Sequence, residues 1–432
     1  MQMDSQVIMA VSIFVGVYAI IVSEKIHRTI IALVGGILMI ILGILSQEAA
    51  IHHIDFNTLG LLIGMMIIVG ITGETGFFRY LAIWSAKKVG ADPVKLLIVI
   101  NLLTAACSAF LDNVTTVLLT VPITISITKQ LKVPPLPYLI SQIISSNIGG
   151  TATLIGDPPN IMIGSAVKEL TFMAFIQNLT LISIVIWIVT MAIMTLIYRK
   201  QLHTSDELKA QLMKLDESKE LTNPSLLKIC LGVLAITIVL FFLHQALHLE
   251  SATVALFGAS LLLILARKEV EHDLEHLVFG KVEWVALFFF VGLFIIVGGL
   301  VETGVISYLA IKAMEITAGD LVATSVLILW LSAIASAFVD NIPFVATMIP
   351  LIKDMGALGI TNLEPLWWSL ALGACLGGNG TLVGASANII VAGLAAQEGH
   401  PISFMGFLKI AFPLMIISII ISHIYIYWRY LI

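Results

Sequence analysis

The chain has 432 residues, 59% hydrophobic and 11% charged, with a mean hydropathy of +1.06, against about 25% charged residues in an ordinary soluble domain. A water-soluble fold is excluded, and so is a transmembrane barrel, because the apolar runs are long and unbroken where a barrel needs alternation over about ten residues. The net charge of −5, from 22 basic and 27 acidic residues without a basic block, offers nucleic acid no electrostatic footprint and leaves the lipid bilayer as the surrounding partner.

At roughly 20 apolar residues per crossing, about ten to twelve membrane segments fit. The first six residues carry an acid and no base, so the basic start of a cleaved signal peptide is missing. Residues 7–22 are therefore expected to remain as the first membrane helix, with further helices near 29–46 and 57–83. Next comes 96–128, preceded by Lys87, Lys88 and Lys95 and followed by Lys129 and Lys132. Cytoplasmic loops are enriched in Lys and Arg, so both of its ends belong inside, and a re-entrant hairpin with its tip at Asp112-Asn113 satisfies that pattern. Helices near 137–166 and 171–198 lead to a polar stretch carrying Arg199, Lys200, Lys209, Lys214, Lys219 and Lys228, which anchors the cytoplasmic side. The N-terminus then lies outside. Cys107, Cys230 and Cys375 stand singly in apolar runs and are read as small core residues.

Adding 228 to a residue number superposes two long stretches without a gap. Glu74-Thr75-Gly76 falls on Glu302-Thr303-Gly304, Ser108-Ala109-Phe110 on Ser336-Ala337-Phe338, and Asp112-Asn113 on Asp340-Asn341. Pro122, Gly149-Gly150, Thr153, Gly156 and Asn160 fall on Pro350, Gly377-Gly378, Thr381, Gly384 and Asn388. Apolar composition alone does not align Asp-Asn pairs and glycines, so the chain is read as a duplication. The first repeat is 1–200, with hairpin 96–128 and broken helix 137–166. A cytoplasmic linker, 201–224, precedes the second repeat, 225–432, with hairpin 321–352 and broken helix 362–395. Each copy has about five transmembrane helices plus one re-entrant hairpin. Five is odd, so the second copy is inverted, and only Lys168, Lys312, Lys353 and Arg429 fall outside. The expected fold is an all-α polytopic membrane protein of two inverted repeats.

In lipid, non-helical backbone survives only where it is buried or lines a wet cavity, so the chemistry belongs at the breaks. Three glycines and two prolines interrupt the helix across Gly149-Gly150-Thr151-Ala152-Thr153 and Gly156-Asp157-Pro158-Pro159-Asn160, and two prolines forbid a continuous helix. The second copy, Gly377-Gly378-Asn379-Gly380-Thr381 to Gly384-Ala385-Ser386-Ala387-Asn388, breaks by glycine alone. Unwound helices expose dipole ends that favour anions and carbonyls that coordinate cations. The hairpin tips place Asp112 and Asp340 near mid-membrane, where a carboxyl is costly and usually marks an ion or proton route; the alternative is that each merely caps the helix that follows. Glu74 and Glu302 are read as hinge or interface groups, His244 and His248 as interfacial, His52 and His53 as diverging loop residues, and Trp367, Trp368 and Trp428 as an aromatic belt. No GxxxxGK[ST] motif, nucleophile-base pair or His/Cys ligand set is present, so no enzyme is expected.

The runs SAFLDNVTTVLLTVP and SSNIGGTATLIGDPPNIMI resemble the ion transporter superfamily, in its branch of arsenite permeases (ArsB), NhaD-type sodium-proton antiporters and the melanosomal P protein. The resemblance covers nearly the whole chain. It implies a homodimer in the cell membrane whose transport part moves as an elevator against a scaffold. The hairpin tips and unwound helices then enclose the substrate site, which nominates Asn113, Thr115, Thr116, Gly149, Gly150, Thr151, Thr153 and Asn160. From the second copy come Asn341, Gly377, Gly378, Asn379, Thr381 and Asn388. Asp112, Asp340 and Asp157 are the proton- or ion-coupling candidates. No cofactor is expected; a sodium ion is the candidate ligand at Asn113, Gly149, Asn341 and Gly378. Dicarboxylate relatives carry Ser-Asn-Thr where this chain has Asp112-Asn113-Val114 and Asp340-Asn341-Ile342. With three aspartates and no Arg or Lys expected in the cavity, an anion would face like charge. The partners are therefore a small ion and protons, with sodium/proton antiport the expected activity. Arsenite or antimonite efflux is the alternative, and a citrate or dicarboxylate anion the third reading.

Overall fold

The computed structural model describes residues 5–23, 25–270, 275 and 278–432, and those residues form helices and turns with no strand among them. The acid-bearing start, residues 1–4, lies outside the described residues. The first half contains α1 (Ser5–Ser23), α2 (Arg28–Ile41), α3 (Gln47–His53), α4 (Phe56–Glu74) and α5 (Phe77–Lys88). It continues with the hairpin α6 (Pro93–Phe110) and α7 (Asn113–Leu131), the broken helix α8 (Leu136–Thr151) and α9 (Pro158–Ala166), and α10 (Phe172–Tyr198). A short α11 (Asp206–Met213) sits in the linker. The second half runs α12 (Pro224–Leu243), α13 (Ser251–Leu265), α14 (Trp284–Glu302) and α15 (Val305–Thr317). Its hairpin is α16 (Leu321–Phe338) and α17 (Asn341–Ala357), its broken helix α18 (Glu364–Gly377) and α19 (Ser386–Gln397), and its last helix α20 (Phe404–Leu431). Among the described residues, eight helices are long and apolar enough to cross a membrane.

Local chemistry sets these boundaries. Both hairpins start on an aspartate cap: Asp92 accepts from the backbone N–H groups of Val94 and Lys95, and Asp320 from that of Ala323. Pro158 and Pro159 open α9, where a missing N–H costs nothing. The expected single helix over 57–83 is two helices. Gly76 takes φ 77°, a left-handed conformation that ends α4 and redirects the chain into α5, and Gly304 does the same at φ 73° between α14 and α15.

Two buried helices, α4 and α14, lie at the centre of one packing unit. Gly64 of α4 meets Ala255 of α13, and Gly292 of α14 meets Ala32 of α2, so closely that an added Cβ would fall 2.5 Å from backbone carbon in either case. Small residues permit such approach between membrane helices. In a second unit each hairpin's first arm packs on its broken helix. Ser108 Oγ donates to Ser146 O and Ser336 Oγ to Ala374 O, both at 2.6 Å. Side-chain pairs between distant segments join regions that the basic-residue trace assigns to one face. Lys87 pairs with Glu217, Lys281 with Glu74 and Lys129 with Glu398 on the linker side; Lys168 pairs with Glu250 and His53 with Glu302 on the other.

The aromatic belt is smaller than expected. Trp367 and Trp368 are buried, with Trp368 Nε1 donating to Glu364 Oε1 and its ring edge-on to Phe175 at 5.1 Å, whereas Trp428 is exposed. Burial inside the bundle gives both tryptophans more apolar contact than the interface does.

Candidate binding site at the hairpin tips

The arms of 18 and 19 residues in the first hairpin are long enough to span a bilayer, yet the two tips meet inside the bundle. Asp157, in the break between α8 and α9, is the meeting point. Its Oδ1 accepts from Asn113 Nδ2 at 3.2 Å and from Asn341 Nδ2 at 3.5 Å. The residue is fully buried, its Oδ2 has no hydrogen-bond partner among the described residues, and the Cys375 thiol lies beside its carboxyl. The matching position of the second break is Ala385.

The two tip aspartates have different partners. Asp112 spends both oxygens on its cap, Oδ1 accepting from Thr115 N at 2.8 Å and Oδ2 from Thr115 Oγ1 at 2.5 Å. The residue matching Thr115 is Pro343, which has neither N–H nor hydroxyl. Asp340 therefore keeps one cap bond, from Ile342 N at 3.1 Å, and turns Oδ2 outward. That oxygen accepts from Arg28 Nη1 at 2.6 Å and from Ser386 Oγ at 3.1 Å. Arg28 Nη1 also donates to Ser386 Oγ at 2.8 Å, and its guanidinium lies over the Phe289 ring, 5.0 Å from the centroid.

Arg28 was not among the expected site residues, and it overturns the expectation of a cavity without Arg or Lys. It lines both a cavity of about 190 Å³, with Asp112, Asn113, Asp157 and Asn341, and an adjoining one of about 370 Å³, with Asp340 and Ser386. His27, Arg28 and Glu283, on the chain segments traced to the cytoplasm, are among the residues that line the smaller cavity. Glu283, just outside the α14 span, has its carboxyl held above the ordinary range, first by burial and then by the negative charge of Asp112, with Arg28 opposing. The sequence signal for Arg28 was slight: a base directly before an apolar run, indistinguishable from any positive-inside flank.

Asn147 was also missed. Its Nδ2 donates to Asn379 Oδ1 and Asn388 Oδ1, both at 2.9 Å, and its Oδ1 accepts from Asn113 Nδ2 at 3.1 Å, so it ties both breaks to the first tip. An amide deep in an apolar helix is costly unless satisfied, and that was the available signal. The matching residue is Cys375, whose Sγ lies 3.5 Å from Asn160 Oδ1.

The remaining nominated residues divide by what they touch. Asn113, Asn341, Asp157 and Asn379 come together at the centre, and Asn379 Nδ2 is buried without a partner among the described residues, as is Thr116 Oγ1. Others brace the breaks. Asn160 Nδ2 donates to the carbonyls of Thr151 and Thr153, and Asn388 Nδ2 to those of Gly378 and Thr381. Thr153 Oγ1 donates to Ala109 O, Thr381 Oγ1 to Ala337 O at 2.5 Å, and Thr151 Oγ1 to Asn147 O at 2.7 Å. Gly149 and Gly377 let the broken helices press on Ala105 and Ala333, where a Cβ would fall 2.2 and 2.5 Å from a carbonyl oxygen; Gly150 similarly packs on Gly156.

Hairpins meeting tip to tip at a buried carboxylate, beside two interrupted helices in a bundle of apolar spans, define a multi-pass membrane protein of the secondary-transporter class. The profile of the CitMHS family, described as citrate transporter, matches residues 18–373, and the chain belongs to that family. It is 40% identical over 429 residues to an uncharacterized transporter of Mycobacterium tuberculosis, covering 98% of each chain. It is 34% identical over 516 residues to the Homo sapiens P protein, covering 99% of this chain and 61% of that one. In fold it resembles the YdaH transporter of Alcanivorax borkumensis, whose crystal structure shows an unusual topology: TM-score 0.59, 14% identity, covering 87% of this chain and 86% of that one.

Proposed function

We propose that this chain is a secondary active transporter working by alternating access, in which Asp157 is the group that exchanges a proton for a monovalent cation. One observation carries the reading: the carboxyl of Asp157 is buried between the two hairpin tips with one oxygen unpartnered. An unpaired carboxylate at that depth costs several kcal/mol. It is relieved by a proton or by a cation, and competition between the two for one oxygen couples their movements. Asp112 and Asp340 are occupied by a cap and by Arg28, so the exchanging role passes from the tips to the break. Sodium, held by Asp157 with help from the amide oxygens around it, is the cation this reading favours, and proton-coupled sodium antiport the activity.

A second reading is favoured by Arg28. It neutralises Asp340, one of the three aspartates, and among the described residues its Nε and Nη2 make no hydrogen bond, which weakens the repulsion argument against an anion and supports citrate or a similar carboxylate as cargo. Proteoliposomes under an imposed pH gradient, offered sodium, lithium, arsenite and citrate in turn, separate these readings. Asp157→Asn is expected to abolish gradient-driven uptake of whichever ion is carried while the protein remains monodisperse. Undiminished gradient-driven uptake by this variant would overturn the assignment.

A further inference from the structure

Arg28 joins two parts of the molecule that are also tied elsewhere, by Ser165 to Asp55 and Asn57 and by Lys168 to Glu250. It starts α2, which is locked to α14 through Ala32 on Gly292, and Phe289 of α14 lies under its guanidinium. Asp340 and Ser386 belong to the other packing unit, at the second hairpin tip and the second break. Beside this pair, Tyr18 of α1 donates its hydroxyl to Pro343 O at 2.9 Å. The α1–α2 pair thus grips the second tip from the cytoplasmic side. Asp340 is buried and Arg28 is 26% exposed, so the pair is shielded from much of the screening that weakens surface ion pairs.

Among the described residues, the first tip has no such partner. Gly64 and Gly292 are matching residues, and they press on Ala255 and Ala32 respectively. Ala255 of α13 therefore matches Ala32 of α2, and counting back four residues matches Ser251 to Arg28. Ser251, the first residue of α13, carries no charge. Asp112, the match of Asp340, has both oxygens closed by Thr115.

We infer that Arg28–Asp340 is a one-sided latch that biases the empty carrier toward the conformation in which this pair is formed. This rests on the alternating-access reading, in which the two halves exchange conformations to reach the opposite state. On that exchange the Arg28–Asp340 pair breaks, and the corresponding place offers Ser251 and an already capped Asp112, so no equivalent ion pair forms. Arg28 is thereby a gating residue, distinct from the exchanging carboxyl at Asp157.

The test uses full-length protein in liposomes, free of native cysteines, with spin labels at positions 245 and 358, one on each packing unit, read by pulsed electron resonance. The expected wild-type distribution has two distances, one dominant. Arg28→Gln should shift their ratio toward the minor state by about tenfold, the scale of a lost charge-assisted hydrogen bond. The paired reversal Arg28→Asp with Asp340→Arg should move the ratio back toward wild type, and Ser251→Arg should leave it within twofold because Asp112 is not free to pair. Arg28→Lys, which keeps the charge, should fall between wild type and Gln and serves if Gln does not fold. Two distances whose ratio ignores Arg28→Gln and Arg28→Lys would overturn the latch and leave alternating access standing. A single distance in every variant, with transport intact, would overturn both.

Discussion

The two hairpin tips carry the same Asp-Asn pair and end in different chemistry. In the first, Thr115 closes both oxygens of Asp112; in the second, Pro343 has nothing to donate, so Asp340 reaches across to Arg28 and Ser386. The breaks diverge in the same way, with Asn147 and Asp157 opposite Cys375 and Ala385. The two hairpins share a frame, and a few differing residues next to the shared motif give them different partners. A repeated motif thus marks a place in the fold, and the residues around it decide the function there.

The difference between the halves is sharpest at Asn147 and Cys375. Asn147→Ala removes three hydrogen bonds and strands amide groups on Asn113, Asn379 and Asn388, so a loss of roughly 2–4 kcal/mol is expected. Cys375→Ala removes one sulfur and should cost about 1 kcal/mol. Equilibrium unfolding in detergent compares them; equal losses would mean that the asparagine hub does not act as a unit.

The two glycine bends come next. Both lie in the left-handed region, where alanine costs about 1–2 kcal/mol. A Cβ on Gly76 would also fall 1.8 Å from Glu220 O in the linker, whereas Gly304 has nothing within 4 Å. The linker is tied to this bend by Thr222, which donates from N to Thr75 O and from Oγ1 to Glu74 O. Gly76→Ala should therefore destabilise more than Gly304→Ala and expose 201–224 to protease; matching cleavage rates in the two variants would show that the linker does not restrain the first bend.

The capping contrast predicts a smaller effect. Thr115→Val removes the hydroxyl but keeps the N–H bond to Asp112, so about 0.5–1 kcal/mol should be lost. Pro343→Thr gives Asp340 a cap donor that competes with Arg28, with little change in stability and altered transport kinetics. Melting temperatures and uptake rates of the two variants check this opposition.

The smallest effect is at the linker's ion pair. Lys87 donates to Glu217 at 2.5 Å and holds its carboxyl below the ordinary value of 4.5. A carboxyl with a lowered folded pKa stabilises fully above its unfolded value, and that contribution fades as pH falls through the folded one. Proteolysis of 201–224 should accelerate slightly below pH 4.5, and Glu217→Gln should remove that pH dependence. An unchanged acid profile in Glu217→Gln would assign the effect to another group.

Much of the frame was legible in the sequence because it is written in local signals. Prolines and glycines mark the breaks, aspartates mark the caps of the hairpin arms, and lysines frame the first hairpin. The helix pairs at 136–166 and 364–397 lie close to the expected 137–166 and 362–395. The division of 57–83 was missed, although Gly76 was visible, because a glycine in an apolar run does not announce its φ. Trp367 and Trp368 were misplaced because burial depends on what packs over a helix.

By itself the sequence determined that the chain lives in a bilayer, that its two halves carry matching motifs at a constant offset, and where its backbone is interrupted, since hydrophobic length and Pro/Gly chemistry act within a few residues. Only the tertiary structure decided what each carboxyl touches. Arg28 reaches Asp340 across 312 positions, and Asp157 meets Asn341 across 184. Whether a buried charge is capped, paired or left open depends on groups brought together from distant helices, and that proximity is a property of packing.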